Sequence, residues 1–468
     1  MYIQSIKIEN LKRLRDLSLE FTLSDGSPRM WTVLIGENGT GKTSILQAIA
    51  LAAAGTLRVN DLIGDGFAHL VDRRQNSIMK INTCFQFSPA GKNPIYHPKY
   101  IGNDIPKKLT LHSYVYLNPK ETSLRAASHY HYTTEFPSKD DPLDHARASE
   151  SPLWFVIGYG VHRTLPESGK LPNLARPSVD RMKPLFDAEH SITSTAFINY
   201  YGDEKKARDY AAILKRVIID TGILPKDIIN LELRGYGGVS KATDLLDRNR
   251  FLQEMGTERV NVPAVALAHG YQSTIAWIAD LVGHILLEAD RSIEPTDFEG
   301  LVLIDEIDLY LHPIWQARLI PALRKVFPKL QFIATTHSPV VLATLLPEEV
   351  VRLQADPSTG HVRRITPDSE TGEWDPVDRA ADLHTQPDPR TMTGTEMYKE
   401  YFGMDRLTLN EHGEKIRTYT ALATNPHRTE YQQERMSRLR QELTDALVTD
   451  LTKPVPVDPS NDSAKSWR

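Results

Sequence analysis

The stretches "YIQSIKIEN" (2–10) and "LSLEF" (17–21) alternate apolar and polar residues, and "WTVLI" (31–35) is continuously apolar. Alternation predicts half-buried strands, and the unbroken run predicts a fully buried one. A helix is expected over 43–55, and strands over 77–87 ("SIMKINTCFQF"), 109–117 ("LTLHSYVYL") and 153–160 ("LWFVIGYG"). Between 88 and 150, Pro, Asn, Asp and Ser are frequent, which predicts loops and ragged strands. After 188 the spacing turns helical, with a short strand at "IINLELRG". "LVLI" (301–304) and "QFIATT" (331–336) read as central parallel strands with a helix between them. In "AVALAHGYQSTIAW" (264–277) a strand-like run stops at Gly270, and Ile275, Ile278, Ala279, Val282, Ile285 and Leu286 share one helical face. Ser273 or Thr274 would cap that helix. From about 355 loop chemistry takes over, followed by helices near 394–402, 411–423 and 428–449. Met436, Leu439, Leu443 and Leu447 line one face of the last helix, and a tail without a helical or strand pattern follows.

Composition narrows the classes. A chain of 468 residues has room for two or three units and an ample core. The net charge of −5 argues against a coat of basic charge, while leaving a local basic groove, and so nucleic acid, open as a partner. Cys84 is the one cysteine, so neither a disulfide framework nor a cysteine zinc site can form within the chain, which fits a reducing cytoplasm. The N-terminus lacks a signal-peptide pattern, and no run of about 18 apolar residues offers a membrane span.

Three motifs carry chemistry. "GENGTGKT" (36–43) lies between a buried strand and a helix, the context that the G-x-x-x-x-G-K-[ST] phosphate loop requires. Its amides, from Gly36, Glu37, Asn38, Gly39, Thr40, Gly41, Lys42, Thr43 and Ser44, would wrap a phosphate. Lys42 would reach the β- and γ-phosphates and the Thr43 hydroxyl would bind Mg²⁺. "LVLIDE" ends a buried strand in two carboxylates: Asp305 would hold Mg²⁺ with Thr43, and Glu306 would activate the attacking water. "DE" after a strand is weak alone and strong with a phosphate loop upstream. His337, at the end of "QFIATTH", is on its own most simply a hydrogen-bonded structural residue; the order of the motifs places it beside Glu306, facing a γ-phosphate. "SHYHY" (128–132) with Asp140, Asp141, Asp144 and His145 could suggest a metal site, but the region is loop-rich, and solvated histidines are the better reading.

In order and spacing these motifs resemble the ATP-binding-cassette ATPases, in their SMC/RecF-like and OLD-like branch, over about residues 1–355. "IQSIKIENLKRLRDLSLEF", "DEIDLYLHP" and "ATTHSPVVL" carry the likeness. "PLFDAEH" and "MTGTEMYKEYFGMD" are similar to small prokaryotic defence ATPases of the Septu and retron kind. The resemblance implies an α/β fold of the ABC/SMC-head type: a mixed sheet with an antiparallel β subdomain, a helical subdomain at about 180–255, and C-terminal helices. The resemblance makes 1–355 an ATPase domain, and the residue patterns beyond it give a helical interaction region at 356–450 and a disordered tail at 451–468. It also implies that Leu267, Ala268, His269, Gly270, Tyr271 and Gln272 form the signature motif, which in the family binds the γ-phosphate of ATP held by a second subunit. The family's serine is Ala268 here, so one hydroxyl donor is missing. His162 stands where the family has its Q-loop glutamine, so His162 or Arg163 would sense the γ-phosphate, with Gln86 as a rival; His312 stands at the D-loop position. Lys12 and Arg13 either flank the nucleotide or face solvent as a hairpin pair.

The implied function is that of a cytoplasmic ATPase using ATP and Mg²⁺, pairing as a homodimer or higher oligomer. It would regulate a separate effector, a nuclease or toxin, in antiviral defence. A RecF-like DNA-repair ATPase is the alternative. A transporter subunit fits less well, because of the opening hairpin, the "LHP" element and the added C-terminal helices.

Overall fold

The structure is a computed structural model, and it describes residues 1–71, 77–87, 109–130, 141–144, 154–163, 177–190, 192–194, 197, 204–232, 250–267, 269–288, 297–365, 387–402, 404, 411–446 and 451–457. The described chain forms two compact units, Met1–Gly394 and Thr395–Arg468.

In the first unit the early strands are β1 (Tyr2–Leu11), β2 (Leu14–Glu20), β3 (Trp31–Gly36), β4 (Met79–Phe87), β5 (Leu109–Leu117) and β6 (Arg125–Tyr130). Five of them make an antiparallel sheet in the order β2-β1-β4-β5-β6. Its alternation works as expected. Ile6, Ile8, Ile81, Phe85, Leu111 and Val115 turn inward and are buried, while Lys7 and Lys80 stay on the polar face and pair with Glu9.

The later strands are β7 (Val156–Tyr159), β8 (Ile228–Glu232), β9 (Arg250–Met255), β10 (Glu258–Pro263), β11 (Gly300–Ile304), β12 (Leu330–Thr335), β13 (Val350–Ala355) and β14 (Val362–Ile365). A six-stranded sheet runs β14-β13-β3-β12-β11-β7 and is parallel except at β14. Between this sheet and the antiparallel one lies α1 (Lys42–Ala54), which touches β4 and β5 on one side and β7 and β12 on the other. All but two of its residues are buried, which explains why it is apolar around its whole circumference.

The remaining part of the unit carries α2 (Glu204–Lys215), followed by a π-turn at Arg216–Asp220, and α3 (His269–Glu288). It also holds the small antiparallel sheet β10-β9-β8, so the expected helical subdomain contains strands as well. The mixed α/β fold is the expected one. The strand-like reading of 264–268 is corrected: Ala264–Ala266 is a 3₁₀ turn and α3 already begins at His269. Ser273 and Thr274 therefore lie inside the helix rather than capping it, and the Thr274 hydroxyl donates back to Gly270 O at 3.0 Å. The first unit also continues past 355, because β14 pairs with β13 and Val362 N donates to Arg13 O at 3.0 Å.

The second helix between parallel strands is α4 (Pro313–Val326). At the C-terminal end of the chain are α5 (Gly394–Phe402), α6 (Glu411–Thr424) and α7 (Glu430–Asp445). Thr429 and Gln432 make a reciprocal capping box that starts α7. Tyr419 and Ala423 of α6 pack on Met436 and Leu443 of α7, with Leu439 beside them; Leu447 lies outside the described residues. Residues 451–457, expected as part of the tail, run back along α6. Val455 N donates to Ala423 O at 2.8 Å, and Tyr419 Oη donates to Thr452 O at 2.9 Å. No helix among the described residues is long and apolar enough to cross a membrane.

Candidate nucleotide site

Parallel pairing brings the motif-bearing strand ends to one edge of the sheet. Ile304 of β11 lies opposite Ala334 of β12 and Tyr159 of β7, and Thr335 lies opposite Leu34 of β3. The C-terminal ends of open parallel sheets are the usual place for a ligand crevice. Beyond β3 the loop turns through glycines: φ is +153° at Gly36, +81° at Gly39 and +80° at Gly41. A side chain at Gly41 would be strained, and its Cβ would sit 3.0 Å from Leu14 Cδ2. Thr40 Oγ1 donates to Glu37 O at 2.8 Å, which closes the loop on itself. Gly36, Glu37 and Thr40 thus hold the loop's shape, while Asn38, Gly39, Gly41, Lys42, Thr43 and Ser44 line a cavity of about 400 Å³. The first turn of α1 supplies amides without partners inside the helix, the ordinary basis of anion binding.

Lys42 is 8% exposed, and its ammonium donates to Gly36 O at 2.8 Å and Glu37 O at 3.0 Å. Burial lowers its pKa, opposed by the charges of Asp305 and Glu306. Asp305 sits across the cavity and is held by two hydroxyls: Thr43 Oγ1 donates to Oδ2 and Thr335 Oγ1 to Oδ1, both at 2.6 Å. Thr335 also accepts from Glu306 N at 2.7 Å. Glu306 and His337 complete the lining. Burial and then the charge of Lys42 push the His337 imidazole below its usual pKa, and Glu306, Asp308 and Asp305 pull the other way. A hydroxyl and a carboxylate oxygen side by side are hard-cation ligands, so the donor set at Thr43 and Asp305 fits Mg²⁺. Lys12 and Arg13 also line the cavity. Burial lowers the Lys12 pKa, and Arg13, though exposed, donates to Gly39 O at 3.2 Å and Gly360 O at 3.0 Å.

The family described as "AAA domain, putative AbiEii toxin, Type IV TA system" matches residues 31–343, which contain every one of these motifs. The chain belongs to this family. It is 26% identical to the Septu protein PtuA of Bacillus mycoides (strain KBAB4) over 445 residues, covering 95% of this chain and 50% of that protein. It is 26% identical to the Retron Ec83 probable ATPase of Escherichia coli over 393 residues, 73% of this chain and 70% of that one. The chain thus spans about half the length of the Septu relative. Among solved structures, the SmcHead bound to the C-winged helix domain of ScpA aligns at TM-score 0.46 and 14% identity, covering 80% of this chain and all of that one.

Other positions of this AAA-domain chain do not fall where the sequence put them. His162 is exposed and lies outside the cavity lining. Gln86 accepts from Gln4 Nε2 at 2.9 Å on the antiparallel sheet, away from the cavity. Arg163 is 1% exposed and turns to the backbone, not the cavity: it donates to Asp305 O at 2.9 Å and Glu306 O at 2.7 Å. Burial lowers its pKa to about 10, against the pull of Asp305, Asp308 and Glu306. His312 is the N-cap of α4, where its Nδ1 accepts from Ile314 N at 3.3 Å. Asp144 and Asp141 are spent within the fold: Asp144 accepts from Leu57 N at 3.0 Å, and Asp141 accepts from the Thr56 and Ser128 hydroxyls. His129 stacks on Tyr114 with ring centroids 5.2 Å apart; His131, Asp140 and His145 lie outside the described residues.

The segment expected as the signature motif has a partner inside its own chain. A Cβ at Gly270 would collide with the carbonyl oxygen of Tyr310, in the turn that follows Glu306. Tyr271 meets Trp315 edge-on at 4.7 Å, and Gln272 Nε2 donates to Leu267 O at 2.7 Å. Ala268 and the His269 side chain lie outside what is described. Sequence reading missed Thr335, the hydroxyl that joins Asp305 to the Glu306 amide. The one signal for it was a threonine pair just before His337 at the end of a central strand. It also missed the network behind the turn, in which Thr336 donates to Asp308 and accepts from Ser338 N at 3.0 Å, and Ser338 Oγ donates to Gln316 Oε1 at 2.7 Å.

Proposed function

We propose that this chain binds and hydrolyses ATP as an ABC/SMC-like head, and that its nucleotide state regulates a separate effector in prokaryotic antiviral defence. The observation that carries the enzymatic half is the 2.6 Å bond from Thr43 to Asp305 across a cavity also lined by Lys42, Glu306 and His337. Lys42 would exchange its two carbonyl acceptors for phosphate oxygens, and the first-turn amides of α1 would face the same charge. Mg²⁺, when bound by Thr43 and Asp305, supplies charge neutralisation across the β- and γ-phosphates. Glu306 would accept the proton of the attacking water, and His337 would face the γ-phosphate beside it. The defence half rests on the Septu and retron relatives.

Two heads would close on ATP, each lending its Leu267–Gln272 segment to the other's nucleotide. An exposed apolar surface beside that segment supports closure: Tyr310 is 51% and Ile314 55% exposed, next to Trp315.

The test is a titration with Mg²⁺–ATP followed by turnover, on the unaltered chain and on Glu306→Gln. Glu306→Gln should keep its ATP affinity and lose about a hundredfold or more of the rate, the scale of a lost general base. ATP bound and never turned over by the unaltered chain would overturn the hydrolase. Effector activity should then differ between Glu306→Gln, arrested with ATP, and Lys42→Ala, which does not load it. Identical effector behaviour would overturn the regulatory role.

A further inference from the structure

We infer that Arg163 is the positioning residue for the two carboxylates of the nucleotide site, acting on the backbone that carries them and not on nucleotide. The inference rests on the hydrolase reading above. Arg163 follows β7 by four residues and is 1% exposed. Its two terminal nitrogens donate to successive carbonyls, Asp305 O at 2.9 Å and Glu306 O at 2.7 Å. Its Nε has no partner among the described residues, so the bonding of this side chain is spent on those two carbonyls.

Successive carbonyls of an extended strand point to opposite sides and cannot both meet one guanidinium. They converge here because Glu306 is left-handed, with φ +47°, a conformation that side chains other than glycine rarely adopt. The fork of Arg163 and the left-handed residue therefore explain each other. The guanidinium holds the strand's exit in the one geometry that leaves Asp305 against Thr43 and turns Glu306 into the cavity. Thr335 holds the same turn from the other side, through the Asp305 carboxylate and the Glu306 amide. A lysine keeps the charge but not the rigid planar fork, which presents two N–H donors in a fixed geometry at the end of a longer side chain.

Arg163→Lys and Arg163→Gln in the full chain test this. ATP affinity should stay within about twofold while turnover falls by about tenfold or more, a kcat effect without a KM effect. In a Glu306→Gln background, Arg163→Gln should slow single-turnover hydrolysis by a smaller factor than in the unaltered chain, because one of the two carboxylates it positions is already gone. In the nucleotide-free chain, the amides of Ile307 and Leu309, which bond to Thr335 O and Glu306 O, should exchange hydrogen faster in both Arg163 variants. Turnover unchanged with weakened ATP binding would mean that Arg163 faces nucleotide, and would overturn the inference. An equal loss in both backgrounds would show a merely structural role. If the unaltered chain turned over no ATP, the hydrolase reading would fail by itself, and amide exchange in the 305–311 turn would decide Arg163: faster exchange supports it, unchanged exchange overturns it.

Discussion

Gly41 and Gly270 both stand where a loop enters a helix, and both fall in segments proposed above to meet phosphate. At Gly41 the backbone itself demands glycine: φ is +80°, in the left-handed region, just before α1. At Gly270 the residue lies within the first turn of α3, and the demand comes from outside, from the Tyr310 carbonyl packed against it. The helices behind them differ as well. α1 is wedged between two sheets by apolar contact. α3 is tied to β7 by buried polar groups: Tyr159 Oη donates to Asp280 at 3.0 Å, Thr193 N and Ser194 N donate to the same carboxylate at 2.7 and 3.0 Å, and His284 lies beside it. The turn of the phosphate loop is thus set mainly by its own backbone, with Leu14 and Arg13 packed against it. The segment around Gly270 is held against the turn after Glu306 by contacts from distant parts of the chain.

The largest effect should come from the phosphate-loop side. Lys42→Ala should weaken ATP binding by about a hundredfold or more, the scale of a lost charge-assisted contact of about 3 kcal/mol. Calorimetric titration giving equal affinity for both chains would remove Lys42 from the site. Next comes the polar anchor of α3. Burial raises the Asp280 pKa to about 6 from 3.8, against the three hydrogen bonds that favour its charge, and burial keeps His284 neutral, well below its usual range. The folded state therefore holds the Asp280 proton more tightly than the unfolded one. The resulting stability is full below about pH 3.8 and is lost as pH rises through about 6. Relative to Asp280→Asn, the unaltered chain should lose up to about 3 kcal/mol of unfolding free energy over that window. Parallel pH profiles in urea would show that Asp280 ionises as freely folded as unfolded.

The smallest effects separate the two glycines. Ala favours a helix over Gly by about 1 kcal/mol, so Gly270→Ala should stabilise the chain if the position serves only a second subunit. The Tyr310 contact predicts the opposite, a net loss of about 1–2 kcal/mol from overpacking, read as a lower urea midpoint at unchanged slope. Gly41→Ala should cost a similar amount through its left-handed φ. It should appear as about tenfold weaker ATP binding, which Gly270→Ala should leave alone in a chain too dilute to pair. Equal affinity losses in both variants would mean that the two glycines do not differ in this way.

The parts of the site legible in the sequence were those made by neighbours in the chain. "GENGTGKT" after an apolar strand, "LVLIDE" and "QFIATTH" named Lys42, Thr43, Asp305, Glu306 and His337, and the parallel sheet brings all five to one cavity. Local chemistry suffices there, because a strand, a glycine turn and a helix N-terminus form from consecutive residues. The same local rules misread 264–268. A short apolar run suits a strand or a 3₁₀ turn equally, and the structure makes Ala264–Ala266 a 3₁₀ turn with Gly270 packed on Tyr310 in the first turn of α3.

What the sequence determined by itself was the order of apolar runs and phosphate-loop chemistry, and through them the α/β fold and the five cavity residues. The tertiary structure alone decided the partners of side chains whose neighbours are far away in the chain. Arg163 sits beside His162 in the sequence, yet it bonds to carbonyls 142 and 143 residues away. Thr335 reaches Asp305 across 30 residues, and His312 turns out to cap a helix. A polar side chain in the core must find a partner or bear the cost of burial without one. Which partner it finds depends on which strand ends the sheet places side by side, and no local pattern of residues carries that information.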